Sequence, residues 1–134
     1  MITIVILVIF GLAFFLALFV LVSSGSKKFS EKDQKFVLSH WNKIVEQSKV
    51  DAKGAIMDAD KLLDHVLKKK GYSGSLGEML KKSGPLFSDL NSVWHAHKIR
   101  NRLAHEIAFT ISPQEGKNVL AKFKRAFRDL GVKI

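Results

Sequence analysis

Residues 1–22 are apolar almost without interruption, and Thr3 is the one polar side chain among them. Beyond them, apolar positions recur every three or four residues, the period of an amphipathic helix. The two patterns predict one long hydrophobic helix followed by a helical domain. A helix over 1–22 reaches about 33 Å, enough for a hydrocarbon core about 30 Å thick. A cleaved signal peptide is the alternative, and Ser23-Ser24-Gly25-Ser26 has the small residues of a cleavage region. A basic stretch before the apolar run is missing, and the run exceeds the roughly 7–15 residues usual for such peptides. Both points favour a retained transmembrane helix over residues 1–22.

A linker of small residues and lysines spans 23–29, and the domain is expected over 30–134. Its first helix starts at Ser30, with Asp33 in a loose capping box. Phe36, Val37, His40, Trp41, Ile44 and Val45 form its stripe, where His40 reads as a core histidine. A second helix runs from about Asp51 to Lys70. Ile56, Ala59, Leu62, Leu63, Val66 and Leu67 face inward, and Asp58, Asp60, Lys61, Lys68 and Lys69 point outward or flank that face. No Gly or Pro marks a break near Ser48, so a single bent helix is the alternative. Gly71 is a C-terminal stop.

Ser75 and Glu78 form a capping box that opens a short third helix ending near Lys82. The glycines between 71 and 77 lack the Gly-Lys-Ser/Thr of a phosphate loop. Pro85, after Ser83-Gly84, suits the first turn of a long helix reaching about Ala108. Ser112-Pro113-Gln114-Glu115 starts a last helix with Val119, Leu120, Phe123, Ala126, Phe127 and Leu130 on one stripe and Gly131 at its end. No useful length alternates as a strand does. The expected class is all-α: a small bundle of four to five helices after one transmembrane helix. Its core should include Trp41, Leu63, Val66, Trp94, Phe123 and Phe127.

Charge changes the picture in one respect. The first 26 residues carry none, so the whole net charge of +10 lies beyond them. That favours a polyanionic neighbour, either RNA or the anionic lipids of a membrane surface. Lys27 and Lys28 follow the apolar run and no base precedes it. The positive-inside rule therefore predicts a single-pass cell-membrane protein with its C-terminal domain in the cytoplasm. Cysteine is absent, which excludes disulfides and thiolate metal sites. His95-x-His97 lacks a helical ligand spacing, so neither a metal nor a cofactor is expected.

The candidate chemistry lies between Val93 and Glu106, a stretch without Gly or Pro that holds three of the five histidines. On a helix, Leu90, Val93, Trp94, Ala96, Ile99, Leu103, Ala104 and Ile107 share one apolar arc. His97 and Arg100 fall inside that arc, Asn101 and His105 at its edge, and His95, Lys98, Arg102 and Glu106 opposite. An arginine on an apolar face either pairs with a carboxylate or lines a cleft.

Arg100-Asn101-x-x-x-His105 resembles the motif of the HEPN superfamily, small all-helical domains found in many RNA-cleaving toxins and defence proteins. The resemblance implies a HEPN-like bundle over about 30–134, a homodimer, and a metal-independent endoribonuclease or RNA-binding site where two motifs meet. Arg100 would then stabilise phosphate charge, His105 move a proton, Asn101 orient His105 or bind substrate, and His97 and Arg102 add substrate contacts. The alternative is a non-catalytic, membrane-tethered scaffold or interaction domain. There Arg100 pairs with an acid such as Asp58 or Asp60, and His105 caps a polar network with Asn101.

Overall fold

The computed structural model describes residues 1–23 and 28–134. Among the described residues there are six α-helices, one short 3₁₀ turn and no strand. Helix α1 (Ile2–Ser23) is long and apolar enough to cross a membrane. The remaining five are α2 (Glu31–Gln47), α3 (Ala52–Lys69), α4 (Leu76–Ser83), α5 (Leu90–His105) and α6 (Pro113–Asp129). Part of the sequence-derived linker, residues 24–27, lies outside the described residues.

Caps written into the sequence set most helix ends. The Ser30 hydroxyl accepts the Asp33 N–H at 3.1 Å and opens α2. At Ser75 and Ser112 both halves of the capping box are present, with Glu78 and Glu115 reaching back to the cap N–H. Replacing Ser112 by Ala should cost about 1 kcal/mol, read as a lower unfolding midpoint. An unchanged midpoint would show that this cap contributes nothing. At the other ends, α3 and α6 close with Gly71 and Gly131 at positive φ. In each, the following residue donates back five positions, Tyr72 to Leu67 and Val132 to Phe127.

Two helices, not one bent helix, occupy 31–69. The break comes from Asp51, whose carboxylate accepts the Gly54 N–H at 2.8 Å and starts α3 afresh. The two run antiparallel, so Lys69 near the end of α3 reaches Asp33 at the start of α2. Helix α3 is the centre of the bundle and packs against α2, α4, α5 and α6. Eight of its positions are buried, from Ala55 to Leu67, and Asp60 is among them at 4% exposure. Its expected outward or flanking position is therefore wrong, because α5 covers that side of α3.

Most of the expected core is present. Trp41, Leu63, Val66, Phe123 and Phe127 are buried, and the Trp41 and Phe127 rings meet edge to face at 5.5 Å. Trp94 is only partly buried and packs on the margin. Phe36 and Val45, expected on the α2 stripe, stay partly exposed. The Phe36 ring lies beside those of His40 and His65, and His40 Nδ1–H donates to the Phe36 carbonyl rather than into the core.

The motif helix is shorter than its pattern implied. Pro85 sits in the 3₁₀ turn Gly84–Leu86, and α5 begins only after Asp89 accepts the Ser92 N–H. It ends at His105, because Glu106 is extended and the chain folds back. Arg102 fastens that corner. Its guanidinium binds the Glu106 carboxylate at about 3.1 Å and covers the Phe109 ring at 3.8 Å. Ala104 and Ile107 are consequently exposed, and the apolar arc proper reduces to Val93, Ala96 and Leu103 with partly buried neighbours.

Candidate functional site

The site begins with spacing on two helices. His97, Arg100 and Asn101 stand at i, i+3 and i+4 on α5, so they share one face. Across from them, Asp60 interrupts the α3 run Ile56, Leu63, Leu67 on its inward side. Packing α5 on α3 brings the four polar side chains into one closed ring.

Asp60 Oδ1 accepts from His97 Nδ1–H at 2.8 Å. With the proton on Nδ1, His97 Nε2 is an acceptor, and the Asn101 amide N–H₂ donates to it at 3.3 Å. That orientation leaves Asn101 Oδ1 to accept from Arg100 Nη1 at 2.9 Å. Arg100 Nε closes the ring 3.3 Å from Asp60 Oδ2. The last contact is an ion pair without a hydrogen bond, since the buried Nε–H is not aimed at the oxygen. Side-chain exposure grades outward from Asp60 at 6% through His97 at 12% to Arg100 at 24%. The acid is the buried hub, and the arginine is the member that reaches solvent.

Outside the ring lies an open cleft of about 450 Å³, between the middle of α3, the start of α4 and α5. His97, Arg100 and Asn101 form its α5 wall, and Lys61 and Asp64 stand on the α3 side. The structure thus brings together three of the five residues singled out by sequence. His105 is exposed at the last position of α5 and does not line this cleft. Five residues along a helix separate Arg100 and His105 by about 140° around the axis. Arg102 is elsewhere again, in a depression of about 230 Å³ with His95, Phe109 and Lys122.

Asp60 is the residue whose role sequence reasoning placed only as one of two acids. The signal was nonetheless there: position 60 keeps step with 56, 63 and 67, all of them inward apolar positions. Its partner His97, expected as a substrate contact, is spent on holding Asp60. Asp58 instead pairs with Lys61 at 3.5 Å, on the exposed side of α3.

No family model, curated protein or solved structure matches this chain.

Proposed function

We propose that the chain is a membrane-tethered, HEPN-like helical domain that serves as a non-catalytic scaffold or binding module at the cytoplasmic membrane face. In this reading Arg100, Asn101 and His97 form a structural polar ring. The observation that carries it is the pairing of Arg100 with Asp60. A carboxylate 3.3 Å from Nε already neutralises the cation that a transferring phosphate would need. Asn101 occupies Nη1 as well. A buried carboxylate next to the phosphate would also repel it. The apolar α1 and the net charge of +10 support attachment to a membrane and a polyanionic neighbour.

A metal-independent endoribonuclease is the second reading, favoured by one feature. The outer edge of Arg100 lines an open cleft, and His105 is solvent-exposed on the same helix. A homodimer could set His105 of one chain against the Arg100 cleft of its partner. Incubating the detergent-solubilised full chain with structured and single-stranded RNA, with chelator present, separates the two. The scaffold reading expects intact RNA and unchanged behaviour of His105→Ala. Cleavage by the wild type that His105→Ala and Arg100→Lys both abolish would replace it with the enzyme reading.

A further inference from the structure

A groove of about 700 Å³ lies at the other end of the bundle from the α2–α3 turn. Four separate stretches of chain build it: Lys28, Phe29 and Glu31, the end of α3 at Lys70, Leu86, and residues from Asp129 to Lys133. The antiparallel α2–α3 pair and the closing turn of α6 converge there. Gln34 ties them together, donating to the Gly131 carbonyl at 2.7 Å and accepting from the Lys133 N–H at 3.0 Å.

Its lining is amphipathic. Lys28, Lys70 and Lys133 supply cations, and Phe29, Leu86 and Leu130 supply apolar surface. Lys70 is only 7% exposed, and its ammonium lies over the Phe29 ring at 5.7 Å. Two carboxylates, Asp129 and Glu31, line it as well. Asp129 accepts from both the N–H and the hydroxyl of Ser88, at 2.9 and 2.8 Å. Glu31 stands in the first turn of α2, where the helix dipole favours its charge.

Connectivity says what this groove faces. Lys28 comes five residues after Ser23, the last residue of α1. Fully extended chain spans at most about 3.3–3.6 Å per residue, so Lys28 stays within about 18 Å of the end of α1. With α1 in a bilayer, a groove walled by Lys28 and Phe29 therefore stays within about 18 Å of the point where the chain leaves the hydrocarbon core.

We propose that this groove holds the headgroup of an anionic phospholipid from the bilayer that α1 enters. The inference rests on α1 being a membrane anchor. Lys28 and Lys133 engage the phosphate, and Phe29, Leu86 and Leu130 meet the glycerol and upper acyl region. Binding of that kind draws on the negative potential of an anionic leaflet and weakens as salt screens it. It would also fix the domain's orientation on the membrane.

The test reconstitutes the full chain in nanodiscs of phosphatidylcholine alone, or of an equal mixture with phosphatidylglycerol. Amide hydrogen exchange is then followed at Phe29–Gln34 and Leu130–Lys133. The mixed discs should slow exchange there several-fold, and the K28Q/K133Q variant, altered only at exposed lysines, should lose the effect. Retention of the chain in carbonate-washed vesicles reports the anchor independently, and release would overturn the anchor and the groove's ligand together. With the anchor intact, equal exchange in both discs overturns the lipid assignment alone. So does equal protection in neutral discs by inorganic phosphate or by a short RNA, which would reassign the groove to a soluble polyanion.

Discussion

Replacing Asp60 by Ala should lower the stability of the domain by about 3 kcal/mol, the lower end of the range for breaking a buried ion pair. Removing the hub takes the acceptor from His97 Nδ1–H and the counter-charge from Arg100 in one step. The figure is at the low end because Arg100 is partly exposed and can turn its charge to water. Arg100→Ala should cost less, since Asp60 keeps its hydrogen bond to His97. Asp60→Asn should fall between the two, retaining an acceptor without the charge. Trp41 and Trp94, the two tryptophans, both lie beyond α1, so their fluorescence in a denaturant titration reports the domain selectively. An Asp60→Ala shift within about 0.5 kcal/mol, the range of ordinary surface changes, would show that the ring contributes nothing to stability. A double-mutant cycle between Asp60 and Arg100 isolates their coupling from the packing each side chain loses.

Phe123→Ala should cost about 3–5 kcal/mol, the usual range for emptying a buried phenylalanine site. Phe123 is fully buried, on the α6 face that packs against α3 and α5. A domain of this size has only about 5–15 kcal/mol of stability, so the variant approaches the unfolding threshold. Phe123→Leu, which leaves a smaller cavity, should recover much of the loss. If Phe123→Ala unfolds at the wild-type midpoint, the packing described for α6 is wrong.

The candidate site was half legible in the sequence. Arg100 stood out as a cation within an apolar arc, and such a residue needs either a buried acid or a cleft. The structure supplies both, with Asp60 inside and the cleft outside. Helical stepping also put His97 on that arc, but its hydrogen bond runs to the acid rather than outward. Which acid takes part depends on where α5 crosses α3, about which spacing along either helix is silent.

Local rules determined the helices themselves. The apolar run of α1, the serine caps at 30, 75 and 112, and the glycine closures at 71 and 131 involve only residues within a few positions of one another. Such signals survive in a one-dimensional reading because their partners are adjacent in sequence. Tertiary contact decided the remainder. The inward turn of Asp60 required α5 against α3. The groove at Lys28 exists only because the start of α2, the end of α3 and the end of α6 meet there. Each of these joins groups distant along the chain or alters the apparent periodicity of a face. Packing geometry sets such pairings, and the repeat of apolar residues along one helix does not encode which helix will cover it.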